Sequence, residues 1–283
     1  MKATKSITLI GAGSLASALG PALKRAGYRI DAVVARNRPR SERRVALLAR
    51  KLGARAIPLD EVQPTSEIVW LCTPDDALAT TAKLLAQRRN WRKRIVFHSS
   101  GALTSDVLSP LRRKGAHIAS LHPMMTFVAN SPPKMAGVPF AVEGDPRAVA
   151  AARQIVKALN ANIFSIRKKS KVLYHALGSF SSPMIVATLV TAERVGRAAG
   201  LTRSQTRKVM APILQQTIKN YLLHGPAAAF SGPIKRGDLE TVRRHLRELK
   251  RVPEAKSAYQ ALVRSALRDL PSAKRNELLR LLR

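Results

Sequence analysis

The stretch SITLIGAGSLA, from Ser6 to Ala16, decides how the chain is read. Ser6 to Ile10 is a short apolar run of strand character, and Leu15 to Ala26 has the periodicity of a helix. Between them Gly11-Ala12-Gly13-Ser14-Leu15-Ala16 fits the pattern G-x-G-x-x-A, after a strand and opening a helix. The first glycine permits a tight turn, the second lets backbone approach a pyrophosphate, and the small third residue allows close packing of helix on strand. The amino end of the helix then offers N–H groups and the positive end of its dipole to an anion. This predicts a dinucleotide held by Gly11, Gly13, Ser14, Leu15 and Ala16.

Outward from this turn the same alternation continues. Tyr28 to Ala35 is a Val-rich run after Gly27, followed by a helical Val45 to Leu52 and runs at Ala56 to Leu59 and Ile68 to Cys72. Helical patterns at Ala77 to Leu85 and Leu103 to Lys114 separate strands at Ile95 to His98 and Ile118 to Leu121. Val138 to Val142, a helix from Pro146 to Leu159, and Ile163 to Ile166 extend the series. Near-continuous apolar strands between helices imply an α/β Rossmann doubly wound parallel sheet, covered on both faces.

After Arg167 strand-like runs stop. Residues 171 to 200 read as one long helix ended by Gly200, about 45 Å at 1.5 Å per residue. Further helices fit Arg203 to Leu223, Asp238 to Lys250, Pro253 to Asp269 and Ser272 to Arg283, broken by Gly225-Pro226, Gly232-Pro233 and Pro271. The expected division is therefore 1–167 for the nucleotide-binding domain and 168–283 for an all-α domain.

The 283 residues suit two domains, and 46% hydrophobic with 24% charged residues is the composition of a folded globular chain. Charge is the anomaly: 50 Lys and Arg against 17 Asp and Glu leave a formal +33. The excess is spread from Lys2 to Arg283, and its densest stretch, Lys235 to Arg283, also carries acids and has Tyr259 as its only aromatic, so it reads as a cationic enzyme surface, not a nucleic-acid stripe. A single Cys72 leaves no intramolecular disulfide and no multi-cysteine zinc site, and it points to a reducing, cytoplasmic setting. Lys2, Lys5 and the following apolar run mimic a secretion signal, but Gly11 and Gly13 interrupt that run and Pro21 and Lys24 follow. A membrane-spanning helix is not expected.

Cofactor choice turns on the end of the second strand, which reads Ala35-Arg36-Asn37-Arg38. An acid here would bind the ribose hydroxyls of NAD, whereas guanidinium groups match a 2′-phosphate; Asp31 lies about one strand length too early. Arg36, Asn37 and Arg38 therefore favour NADP over NAD. Thr73 and Pro74, after the fourth strand, are expected to wall the cofactor, with Asp75 capping the next helix. His98-Ser99-Ser100-Gly101 and Leu121-His122-Pro123-Met124 follow two more strands. Their hydroxyls and imidazoles converge where a nicotinamide ring should lie.

These motifs, with Gly232-Pro233-Ile234-Lys235-Arg236-Gly237-Asp238, Thr241-Val242 and His245-Leu246, resemble a bacterial family. Its members join a Rossmann-like domain to a helical domain of unknown function 2520. The family is related to 6-phosphogluconate dehydrogenase, pyrroline-5-carboxylate reductase and deazaflavin-dependent NADP oxidoreductases. The resemblance spans the chain and implies an all-helical dimerisation domain, like the carboxyl-terminal part of 6-phosphogluconate dehydrogenase, and NADP-linked oxidoreduction of an unidentified substrate. In the related hydroxyacid dehydrogenases a lysine and an asparagine one turn on do the proton chemistry, a spacing this chain lacks.

On the long helix Lys171, His175, Ser179 and Ser182 share one face, and Pro183 should kink it. The leading expectation is an NADP(H)-dependent oxidoreductase acting on a small polar molecule. His122 or His175 exchanges a proton, and Ser99 or Ser100 binds the substrate oxygen or the carboxamide of the ring. Lys235 and Arg236 are candidates for a substrate carboxylate or phosphate. His98 is expected to orient the turn through Ser100, and His117, His224 and His245 to lie at the surface or at caps. No metal is expected, since no ligand spacing joins His98, His122 and His175. The competing reading is an NADP-binding sensor or scaffold without turnover. A homodimer is expected because the helical region would leave apolar surface exposed.

Overall fold

The computed structural model describes residues 5–35, 39–63, 65–88, 90–129 and 131–283. They form two compact units, Met1–Ser182 and Pro183–Arg283. The division falls one helix later than the expected boundary near residue 167.

The first unit runs β1 (Ser6–Ile10), α1 (Ser14–Arg25), β2 (Arg29–Ala35), α2 (Pro39–Leu52), β3 (Arg55–Pro58), β4 (Ile68–Leu71) and α3 (Asp75–Ala86). It continues with β5 (Ile95–His98), α4 (Ser109–Arg112), β6 (His117–Pro123), β7 (Pro139–Gly144), α5 (Pro146–Ala158), β8 (Asn162–Ser165) and α6 (Lys171–Ser181). The sheet order is β3-β2-β1-β4-β5-β6-β7-β8. Its first six strands are parallel and reverse direction of winding at β1, the arrangement of the doubly wound nucleotide-binding fold.

Both faces of the sheet are covered. Ile7, Leu9, Trp70 and Phe97 pack with residues of α1, α2 and α5, while Val69, Leu71, Val96 and Ile118 pack with α3 and α4. At Gly20 a Cβ would lie 2.8 Å from Leu52 Cδ1 and 3.2 Å from Leu9 Cδ1. Close seating of α1 on β1 therefore depends on this glycine as well as on the fully buried Ala16.

Three details depart from the sequence reading. The sheet is not wholly parallel, because β7 runs antiparallel to β6. A parallel neighbour needs a crossover, usually a helix, and none of the described residues between Pro123 and Pro139 is helical. Gly144 ends β7 at φ +143°, where a Cβ would come within 2.4 Å of Ile118 O. The expected helix from Leu103 to Lys114 is instead a 3-10 turn, Ser105–Leu108, running into the four residues of α4. Ser105 is clamped there by Glu143, which accepts from its backbone N–H at 2.6 Å and its hydroxyl at 2.7 Å. The single helix from 171 to 200 is two helices. α6 stops at Ser181, Ser182 adopts φ −138° and ψ −80°, and Pro183 opens the next. Proline suits the first turn of a helix, where its missing N–H leaves no bond unmade, and breaks the interior of one.

The second unit is all helical: α7 (Pro183–Ala198), α8 (Arg203–His224), α9 (Pro226–Ala229), α10 (Pro233–Arg236), α11 (Leu239–Glu248), α12 (Pro253–Asp269) and α13 (Arg275–Leu281). Thr202 and Gln205 cap α8 reciprocally, side chain to backbone in both directions. Ile234, Val242, Leu246, Val263, Leu267, Leu278 and Leu282 form its core. Asp238 caps α11, accepting from the Thr241 backbone at 3.1 Å and its hydroxyl at 2.7 Å.

Candidate functional site

The carboxyl ends of the parallel strands open on a cavity of about 440 Å³. It is lined by Gly11 to Leu15 after β1, by Ser41 and Arg44, by Cys72 to Asp75 after β4, and by Ser99 and Ser100 after β5. Gly11 holds φ +102°, and a Cβ there would lie 3.1 Å from Cys72 O. Gly13 is the N-cap of α1 and carries no side-chain cap. A Cβ on Gly13 would meet nothing nearer than Cys72 O at 4.0 Å. Its lack of a side chain thus leaves room for a ligand and answers no packing need. The first N–H groups of α1 face this room without a capping acceptor, which is the donor set that a pyrophosphate takes. Ser14 and Leu15 line the cavity, whereas Ala16 serves the packing beneath it.

Thr73 and Pro74 form the expected wall, and the buried Thr73 Oγ1 has no hydrogen-bond partner. Burial pushes the Cys72 thiol up to about 12, so it stays protonated at neutral pH. Asp75 differs from its expected role: Pro74 is the N-cap of α3, and Asp75 accepts the Ser100 hydroxyl at 2.7 Å. Asp31 is engaged at the amino end of β2, accepting from Arg29 Nε at 2.6 Å and Ser66 Oγ at 2.7 Å. Arg36, Asn37 and Arg38 lie outside the described residues; among the described residues that line the cavity, Arg44 is the cation.

The two candidate serines separate chemically. Ser99 Oγ accepts the Trp70 indole N–H at 2.7 Å, which leaves its own proton to donate toward the cavity. The Ser100 hydroxyl is spent: it donates to Asp75 and accepts from the backbone N–H groups of Ala102 at 3.2 Å and Leu103 at 2.9 Å. His98 is buried under the same turn. Its Nδ1 accepts the Ser100 N–H at 3.1 Å, so the proton sits on Nε2 and points at Thr104 O, 3.2 Å away. Desolvation, with the Lys171 charge second, brings His98 down to about 3. His98 therefore shapes the turn as a neutral imidazole.

The α6 helix is tied to this turn by its polar face. Lys171 is buried and donates to Ser100 O at 3.1 Å and to Ser120 Oγ at 2.7 Å. Burial lowers its ammonium from the ordinary lysine range, while Glu143 and Asp75 act to raise it. One turn on, the Tyr174 hydroxyl lies 3.1 Å from His122 Nδ1. Desolvation, then Lys171 and His175, bring His122 down to about 4, and burial pushes Tyr174 up to about 12. Both are neutral near pH 7. The His175 ring packs edge-on at 6.0 Å from that of His122 but is exposed. Gly101 separates the imidazoles from the cavity-lining Ser100: a Cβ on it would be 2.4 Å from His175 Cδ2 and 2.8 Å from His122 Nε2.

Sequence reasoning did not single out Tyr174; it named Lys171 only as part of the polar helix face and Gly101 only within the motif after the fifth strand. The shared helical face of Lys171 and His175 was the available signal for the lysine; Tyr174 has no counterpart in that spacing. In the second unit Lys235 donates to Ala227 O at 3.4 Å, and His245 Nδ1 lies 3.2 Å from the Tyr259 hydroxyl. Among the described residues no cluster of His, Cys, Asp and Glu suits a metal ion.

Residues 1–123 match the profile of a Rossmann-like domain, and residues 138–266 that of a domain of unknown function, DUF2520. The chain thus joins the two domains that its motifs resemble. A search of curated proteins gives no match. Among solved structures the chain is similar to a Bacteroides fragilis protein assigned as an NADP oxidoreductase, with 25% identity, a TM-score of 0.78, and coverage of 93% of this chain and 97% of that one. It is also similar to an imine reductase from Myxococcus stipitatus solved with NADP⁺, at 17% identity and TM-score 0.67, covering 98% and 100%. A pyrroline-5-carboxylate reductase from Coxiella burnetii gives 17% identity, TM-score 0.59, and coverage of 93% and 97%. At such identities the last two establish likeness of fold.

Proposed function

We propose that the protein is an NADP(H)-dependent reductase of a small polar substrate with a C=N or C=O bond. The observation that carries this is the uncapped amino end of α1 facing a cavity lined as far as Ser99 and Ser100, with the His122–Tyr174 pair next to Gly101, the residue that follows. The residues present fit a dinucleotide: Gly11 and Gly13 admit the pyrophosphate, Thr73 and Pro74 flank the riboses, and Ser99 donates to the ring carboxamide or substrate. Arg44, with Arg36 and Arg38, answers the 2′-phosphate. The bound cofactor supplies the hydride.

The chain supplies the proton. In this reading the neutral His122 carries its hydrogen on Nδ1 and donates it to the Tyr174 oxygen, which frees the phenol O–H to face the substrate. Tyr174 gives that proton to the substrate nitrogen or oxygen as hydride reaches carbon, and His122 N–H stabilises the phenolate that remains. Lys171 holds the turn and the helix together. Titration of purified protein with NADPH and NADH, followed by assay against cyclic imines, ketoacids and aldehydes, tests the proposal. Binding of NADPH in preference to NADH, weakened by Arg44→Ala, with oxidation on one substrate class supports it; absence of dinucleotide binding overturns it.

We further propose a symmetric homodimer. Leu173, Phe180 and Leu222 are 78%, 72% and 74% exposed, among a larger set of apolar side chains bare on α6, α7 and α8. Residues Lys168–Ala198 are long and apolar enough to cross a membrane by length and composition. That run is broken at Ser182, and its Lys171 and Tyr174 bond to the sheet. A second copy is thus the better occupant. A concentration-independent monomer in sedimentation would refute it.

A further inference from the structure

At the opposite end of the sheet from the cofactor cavity, the segments that lead into β5 and β6 enclose a second concavity of about 680 Å³. Gln87, Arg88, Asn90, Arg92, Arg94 and Lys114 line it, together with Trp91. Among the described residues the lining holds four cations, two amides and no carboxylate. Clustered like charges repel, and their mutual cost falls when an anion sits among them.

The backbone fixes this arrangement. Arg94 donates Nε to Asn90 O at 2.6 Å and Nη1 to the carbonyls of Thr65 and Ser66, so its guanidinium serves as a rigid floor. Lys93 N–H donates to Gly115 O at 3.1 Å, which locks the two segments to each other. At Gly115 a Cβ would lie 3.0 Å from Arg92 Cγ, so the glycine lets that arginine lie across the segment carrying Lys114.

Arg88 is anchored beside the concavity: its Nη2 donates to Asp60 O, and its Nε is buried. Arg92 and Lys114 are exposed in the lining and present their charged groups to an oxyanion. The Trp91 ring is buried and bonded through Nε1 to Leu85 O at 2.8 Å, so it offers no platform on which a base could stack. A nucleic-acid strand would find cations here but no stacking surface. The volume exceeds the needs of one phosphate group.

We propose that this concavity binds a small anion bearing two or three linked phosphates. The site is separate from the dinucleotide cavity, and nothing in the reading of that cavity depends on it.

Calorimetry with inorganic tripolyphosphate tests it on the full-length protein. Wild type is compared with Arg92→Glu/Lys114→Glu and with a control, Arg247→Glu/Lys250→Glu, which removes equal charge from exposed positions of the second unit. The expected result is one site per subunit that weakens at least tenfold in the first variant and less than threefold in the control. Phosphate captured at the amino end of α1 would survive both changes, and that outcome overturns the proposal. Equal losses in the two variants would reduce the effect to net charge and overturn it too. So would an oligothymidylate that binds more tightly than tripolyphosphate and is lost in the first variant.

Discussion

The hydroxyl of Tyr174 on α6 and Nδ1 of His122 at the end of β6 lie 3.1 Å apart, 52 residues apart in the chain. The contact couples the end of β6 to the helix that closes the first unit, and it makes a specific kinetic forecast. Tyr174→Phe keeps the ring and its edge-on packing against Phe164, centroids 5.9 Å apart, and removes only the proton. NADPH affinity should stay within about threefold, while kcat falls roughly 10²- to 10⁴-fold, the usual worth of a positioned acid. His122→Asn should fall in the same direction, and the exposed His175→Ala by much less. Equal kcat in wild type and Tyr174→Phe would remove the tyrosine from the chemistry.

Gly101 forecasts how closely that pair is held. A methyl at this position would fall 2.4 Å from His175 Cδ2 and 2.8 Å from His122 Nε2. His175 can swing outward, but His122 is held by Tyr174. Gly101→Ala should therefore lower stability by roughly 1–3 kcal/mol through overpacking. It should also cut turnover more than NADPH affinity, because the amino end of α1 is untouched. Thermal melting with and without NADPH, alongside steady-state kinetics, separates the two effects.

How far the site could be read beforehand follows from the range of the forces involved. The turn at Gly11 and Gly13 is set by neighbours in sequence, so its position, its helix and its sheet were legible. The antiparallel β7 was not, because it depends on a connection that lacks a helix, and apolar runs look alike in either direction. Ser99 and Ser100 were legible as a pair but not in their division of labour. Only the Trp70 and Asp75 partners, 29 and 25 residues away, decide which hydroxyl has a proton to spare. Tyr174 was invisible for the same reason: its partner is brought to it by the fold. The break at Pro183 was visible as a kink, yet the torsion of Ser182 that turns a kink into two helices was not.

The two nucleotide-site glycines should respond in opposite ways. Gly11→Ala places a side chain at φ +102°, 3.1 Å from Cys72 O, and should cost roughly 1–2 kcal/mol of stability. Gly13→Ala has an ordinary backbone, φ −76°, and open space around the new methyl. Its melting temperature should hold while dinucleotide affinity falls at least tenfold, since the methyl occupies room left for the pyrophosphate. If Gly13→Ala binds NADPH as wild type does, the ligand does not approach α1 as described.

Acid should destabilise the first unit before its carboxylates titrate. Free histidine titrates near 6.5, whereas His98 and His122 in the fold stand at about 3 and about 4. Between those values and 6.5 the unfolded chain binds protons that the folded chain refuses, so stability rises with pH across the window and is lost as pH falls through it. Each unit of depression is worth about 1.4 kcal/mol, so the two together are worth roughly 8 kcal/mol once the pH lies below both values. The ion-paired Asp31 and Asp106, held below their ordinary range, add their losses only below about pH 4. Melting temperature should therefore drop steadily from pH 7 to pH 4.5, and the drop should shrink in His122→Gln, which cannot take up a proton. A flat profile over that interval would mean that both imidazoles take up protons in the folded state as readily as in the unfolded chain, which would overturn their desolvated placement.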